Sequence, residues 1–234
     1  MNFHFQEGEV VLIDKELDWT SFDVVRSIRN SLVKELGLKK IKVGHAGTLD
    51  PLASGLLLLC TGKATKNIDQ LQAQEKVYSG TFVLGATTPS YDLETEINQT
   101  YPTSHIDSEK LEECVASFIG VQQQFPPKYS AIKVNGKRAY EYARADKELE
   151  LKSREITIYN FTMDAQRFPE IDFEIRCSKG TYIRSIARDF GLKLQSGAYL
   201  SVLRREKIGD YTVKDALKVS QFKALINELK SSQS

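Results

Sequence analysis

The chain reads as an α/β protein, because two hydrophobic periods take turns along its 234 residues. Val25, Ile28, Leu32 and Leu36 fall on one helical face, whereas residues 76–85, 155–166 and 171–178 alternate apolar and polar as half-buried strands do. Between them Gly55 to Cys60 is a continuous apolar run, with the length and character of a strand buried on both faces. A hydrophobic share of 41% with 27% charged residues is ordinary for a soluble globular protein, and the length suffices for one large domain or two small ones.

Residues 9–14 read as a first strand. Thr20-Ser21-Phe22-Asp23 has the form of a capping box opening the first helix, and Gly37 supplies its stop. Gly44 and Gly47 then loosen the backbone ahead of Asp50, and Pro51 fixes φ just behind it. A loop carboxylate is thereby held at the mouth of a buried sheet, although an arbitrary Asp-Pro is usually no more than a turn or cap.

Residues 64–75 read as a short helix, and the strand at 76–85 puts Tyr78, Phe82 and Leu84 on one face. Asp107 to Gly120 is an amphipathic helix carrying Leu111, Val115, Phe118 and Ile119. Within 122–150, Asn135-Gly136 is a strong hairpin signal, followed by a helix rich in Tyr and Arg. This segment is either ordinary surface or an RNA-gripping insertion, since bases interleaved with aromatics suit phosphates and unstacked nucleobases.

Two neighbouring antiparallel strands joined near Pro169 lead to a helix with Ile183, Ile186, Ala187, Phe190 and Leu194 facing inward. Arg184 lies in its first turn, where a cation opposes the helix dipole, so an acid is expected beside it. Residues 210–234 form a short helical tail, fewer than the ~50 residues an independent domain needs.

The net charge of +1 conceals a strong asymmetry. Residues 92–115 carry seven acids against one lysine, residues 176–207 eight bases against two acids, and residues 122–154 eight bases against four acids. One basic face for a phosphate backbone and an acidic back would suit this pattern, as would plain solvated faces. The start of the chain lacks a signal-peptide core and no apolar run is long enough for a membrane span, so the cytoplasm is expected. The three cysteines have no paired spacing and read as reduced core residues; the three histidines have no metal-ligand spacing, so no zinc site is expected.

The string from Gly44 to Lys66, with His45, Gly47, Thr48, Leu49, Asp50, Pro51, Leu52, Ala53 and Gly55 in order, resembles the catalytic motif of the TruB-type tRNA pseudouridine synthases. Further blocks are similar to that family at Tyr78 with Leu84, Gly85, Thr88, Ser90 and Asp92, at 126–140, at Ser178 to Asp189, and at Leu203-Arg204-Arg205. The family's opening motif is kept at Lys15 and at Thr20-Ser21, with Glu16 and Asp18 replacing a proline and a glycine. Aspartate tolerates left-handed φ better than most residues, so the turn can survive.

The resemblance implies one α/β catalytic domain over 1–234 with a pseudouridine synthase fold, a central mixed and largely antiparallel sheet with surrounding helices and loop insertions. It implies a monomeric enzyme acting on the tRNA T-arm, with Asp50 essential and the T-loop uridine at position 55 as target. Many relatives carry a C-terminal PUA domain, which this chain is expected to lack.

A stacked uridine must be flipped out before any side chain can reach it. By resemblance His45 fills the gap it leaves, Tyr78 and Tyr182 hold the uracil, and Leu203 belongs to the same substrate-binding set. The resemblance also implies that Arg184 pairs with the Asp50 carboxylate, and Asp92 is expected near enough to share the charge. Asp50 acts at C1′, at the base, or on a sugar proton; these routes stay open, and none requires a metal or cofactor. A non-catalytic tRNA chaperone would share every feature except the demand for an acid at position 50, and a nucleoside glycosidase would ordinarily use two carboxylates.

Overall fold

The computed structural model describes residues 3–130, 132–134, 136–145, 147 and 149–231. In chain order the elements begin with β1 (Val10–Lys15), α1 (Ser21–Glu35), β2 (Val43–His45), β3 (Ala53–Thr61), α2 (Ile68–Ala73) and β4 (Lys76–Leu84). There follow β5 (Ala86–Thr87), β6 (Gln99–Thr100), α3 (Ser108–Ala116), β7 (Gly120–Gln124), β8 (Lys133–Val134), β9 (Lys137–Arg138) and α4 (Ala139–Arg144). The chain closes with β10 (Arg154–Asp164), β11 (Glu170–Cys177), α5 (Ile183–Lys193), β12 (Ala198–Ile208), β13 (Tyr211–Thr212) and α6 (Val219–Ser231). Two compact units result, one from residues up to Tyr78 and from Leu203 onward, the other from Ser79–Val202.

The first unit is built on β3. Strand β1 runs antiparallel along one edge of it, from Val10 opposite Cys60 to Lys15 opposite Gly55. The other edge is shared: β12 pairs in parallel with Ala53 to Gly55, and β2 pairs antiparallel with Leu59 to Thr61. Leu57 and Leu59 point into a core formed with α1 and α6, through Val24, Val25, Ile28, Leu32, Phe222 and Ile226. Leu56, Leu58 and Cys60 point into a second core with Leu71, Ile208 and Val213. The unbroken apolar run therefore has a cause: alternate residues serve two different cores, and neither face meets water.

Helix α1 starts as its sequence predicts. The Thr20 hydroxyl accepts from the Asp23 N–H at 3.0 Å, and the Asp23 carboxylate accepts from the Thr20 N–H at 3.2 Å. Asp18 sits at φ 64, so the turn before the helix is made by an aspartate in the left-handed region.

The second unit places its strands in the order β4-β11-β10-β7, with β10 antiparallel to both β11 and β7. Phe82, Phe161, Phe173, Phe190 and Phe118 interlock beneath them, Phe82 stacking on Phe173 at 4.1 Å.

Two expectations need correction. The helix expected over 64–75 is a 3-10 turn at Gly62–Asn67 running into the shorter α2. The helix expected to reach Gly120 ends at Ala116; Gly120 takes φ 103 and opens a strand, which leaves Ile119 48% exposed rather than in the core. Residues Ala198–Ile208, which contain the Leu203-Arg204-Arg205 block, form the eleven-residue strand β12. In the hairpin expected at Asn135-Gly136, Asn135 lies outside the described residues, while β8 and β9 pair around it with Gly136 at φ 81.

Candidate active site

Asp50 lies in the loop that leaves β2 and returns to β3, and the backbone of that loop is gripped carbonyl by carbonyl. Arg205 Nη2 and Nη1 donate to the Gly47 and Thr48 oxygens at 3.0 and 3.5 Å. The Ser21 hydroxyl takes both ends of Leu49, accepting from its N–H at 2.9 Å and donating to its C=O at 3.1 Å. The Asp50 carbonyl accepts from the Ala53 N–H at 3.0 Å, closing a turn. The Pro51 oxygen accepts from the Asp18 N–H at 2.9 Å and from Lys15 Nζ at 3.4 Å.

Lys15 is fully buried and also donates to the Glu16 and Trp19 carbonyls at 2.9 and 2.7 Å. Burial pushes its amine down to about 8, against the opposing pull of the nearby Asp50 and Asp18 carboxylates.

His45 closes β2, opposite Leu59. Its Nδ1 is buried and, among the described residues, has no hydrogen-bond partner. Burial, followed by the charge of Arg205, holds the imidazole below its ordinary value. Leu203 lies opposite Ala53 in the parallel register of β12 and β3, at the end of the same loop. Tyr78 is buried on β4.

In the second unit, Arg184 is the second residue of α5 and is 4% exposed. Its Nη1 stands 3.4 Å from Asp92 Oδ2 and 3.4 Å from the Ser90 carbonyl. Asp92 is itself fixed: its carboxylate accepts from the Glu94 N–H at 3.0 Å, and its carbonyl accepts from Thr88 Oγ1 and Ser90 Oγ at 2.7 and 3.2 Å. An acid thus stands against the cation in the helix's first turn.

Tyr182, the N-cap of α5, is clamped by one amide. Its N–H donates to Gln124 Oε1 at 2.8 Å, and its C=O accepts from Gln124 Nε2 at 3.1 Å. Ser185 Oγ adds a bond to the Phe125 carbonyl at 2.8 Å. The Arg154 guanidinium lies over the Tyr182 ring, 5.4 Å from its centroid.

Sequence reasoning missed Arg205 and Gln124 as parts of this arrangement. Arg205 stood in a flagged motif, but a charged residue is exposed by default. Gln124 is one of three consecutive glutamines with nothing local to single it out. Among the described residues no cluster of His, Cys, Asp and Glu could hold a metal ion, and no helix is long and apolar enough to cross a membrane.

This fold is that of the pseudouridine synthases. The chain aligns with a solved Cbf5-Nop10-Gar1 complex at a TM-score of 0.72 and 25% identity, covering 99% of this chain and 58% of that one. A structure of an H/ACA RNP bound to a substrate RNA containing 2′-deoxyuridine gives 0.70 at 24% identity, covering 98% of this chain and 56% of that one. The chain spans a little over half the length of those proteins.

Residues 34–183 match the TruB family pseudouridylate synthase N-terminal domain, and the chain belongs to that family. It is 57% identical over 219 residues to tRNA pseudouridine synthase B of Flavobacterium johnsoniae, covering 93% of this chain and 96% of the relative. It is 53% identical to the protein of that name from Phocaeicola vulgatus, covering 94% and 93%.

Proposed function

We infer that the chain isomerises a uridine of tRNA to pseudouridine, with Asp50 as the essential carboxylate and the T-loop uridine at position 55 as its target. The observation that carries this reading is the 57% identity to a tRNA pseudouridine synthase B over nearly the whole of both chains. The rigid mounting of the Asp50 loop supports it, because a group that must meet one reacting atom has to be held in place by its surroundings.

The target uridine leaves its stack, and the His45 side chain enters the space it vacates. Tyr78 and Tyr182 hold the uracil ring through the interval in which the N-glycosidic bond is broken and C5 is not yet joined to the sugar. Arg184, with Asp92 beside it, supplies positive charge to the reacting carboxylate, and Leu203 packs on the substrate. Segment 122–150 grips the T-arm of the RNA. The enzyme works as a monomer in the cytoplasm.

The test is to incubate the protein with an unmodified tRNA transcript and map pseudouridine at each position. One modified T-loop uridine is expected with wild type and none with Asp50→Asn, whose amide keeps the shape but cannot act as base or nucleophile. Turnover by Asp50→Asn near the wild-type rate would refute the assignment of Asp50. Product at another uridine would refute the choice of target.

A further inference from the structure

We propose that Arg205 is a positioning residue for the Asp50 loop, acting on the reaction through backbone carbonyls; this rests on the reading of Asp50 as the reacting carboxylate. Arg205 lies in β12 and is 1% exposed. Its Nε donates to the Leu56 carbonyl in β3 at 2.7 Å, and its two terminal nitrogens donate to Gly47 and Thr48, three and two residues ahead of Asp50. Among the described residues its hydrogen bonds go to these carbonyls, and none to a carboxylate.

Burying a permanent charge without a counter-ion is a costly placement. A strand that had only to join β3 would do as well or better with an aliphatic side chain, since exchanging buried charge for packed hydrocarbon is often neutral or stabilising. Two of the three bonds instead leave the sheet and reach the loop. The planar guanidinium fixes both carbonyls relative to β3, and so fixes the path by which the chain arrives at Asp50.

The surrounding sequence accommodates this arrangement. Gly55, opposite Arg205 in the ladder, takes φ 104, and a Cβ there would stand 2.4 Å from the Arg205 carbonyl oxygen and 2.7 Å from its nitrogen. The missing side chain lets β12 approach β3 closely enough for the guanidinium to pass into the loop.

Single-turnover rate constants on an unmodified tRNA transcript, with transcript affinity measured separately, test this in Arg205→Gln and Arg205→Lys beside Asp50→Asn. Arg205→Gln should lose about 100-fold in rate constant, the loss expected when a reacting group shifts by about 1 Å, with affinity unchanged. Arg205→Lys should recover part of that loss, because an ammonium keeps a donor but not the fork. The rate constant of the folded fraction is the diagnostic, since simple loss of folded protein lowers only the amplitude.

Wild-type rate constants in both variants, or affinity falling in step with rate, would overturn the proposal. Absence of a cooperative melt in both would do the same, by making Arg205 a residue of the fold alone. An active Asp50→Asn would remove the underlying reading, whereas an inactive Asp50→Asn beside wild-type rates in both Arg205 variants would remove this inference only.

Discussion

The loop that carries Asp50 and the helix end that carries Arg184 are fastened by different chemistry. Under the Asp50 loop the main fasteners are two buried cations, Lys15 and Arg205 donating to carbonyls at Pro51, Gly47 and Thr48, with the Ser21 hydroxyl bridging Leu49 between them. At the start of α5 they are acceptors or two-sided groups: the Gln124 amide takes the Tyr182 N–H, and the Asp92 carboxylate faces Arg184. The difference follows from what each backbone presents. A tight loop between strands turns a row of oxygens inward, and lysine and arginine are donor-only groups. A helix start presents unpaired N–H groups, which call for oxygen, as Gln124 supplies to Tyr182; the Asp92 carboxylate answers the Arg184 side chain instead.

The sharpest way to break the comparison is Arg184→Met. It strips the guanidinium from a buried carboxylate, and the expected loss of stability is about 3–5 kcal/mol, read by denaturant unfolding. A loss no larger than that of a surface arginine would mean that the Arg184 to Asp92 contact contributes nothing to the fold. A smaller effect is expected from Gln124→Ala, which leaves the Tyr182 N–H and C=O without their shared partner and should cost about 1–3 kcal/mol. That cost should be constant from pH 7 to 9, because an amide does not titrate; a pH-dependent cost would contradict the assignment.

The mildest effect separates the two ends by pH. Lys15 has a folded value of about 8 against the ordinary lysine value of 10.5, so between those limits the unfolded chain binds more protons. Its contribution to stability therefore rises as pH increases from about 8 to 10.5. Its effect on turnover has the opposite sign, since a neutral amine holds the Glu16, Trp19 and Pro51 carbonyls less firmly. A single-turnover rate that falls above about pH 8 in wild type and loses that limb in Lys15→Met is expected. An identical profile in the two proteins would show that Lys15 does not serve the loop.

What the sequence made legible was local. The capping box at Thr20 and Asp23, the doubly buried β3 and the Asp-Pro turn are all written within a few residues of where they act. What it hid was long-range or contrary to type. Strand β12 has no clean alternation, because Leu203, Arg204 and Arg205 interrupt it, and its ladder partner lies about 150 residues away in sequence. Arg205 and Lys15 are wholly buried charges, which pattern reading assigns to the surface. The end of α3 was misjudged because Ile119 is apolar and yet faces water. The Asp50 string resembles a family motif in sequence, but the means of holding that loop could not be read from it, since the donors come from residues 15, 21 and 205.

Strand β3 has one more consequence, concerning loop length. Its odd and even residues are committed to two separate cores, Leu57 and Leu59 to one, Leu56, Leu58 and Cys60 to the other. Sliding the strand by one position would exchange every one of these side chains between cores of different shape. With His45 paired to Leu59 at one end and Ala53 paired to Leu203 at the other, the stretch between them cannot shed or absorb a residue by a shift in the sheet. An insertion or deletion between Ala46 and Leu52 must therefore be taken up where Asp50 stands, so the spacing of this loop is set by the packing beneath it as firmly as by its chemistry.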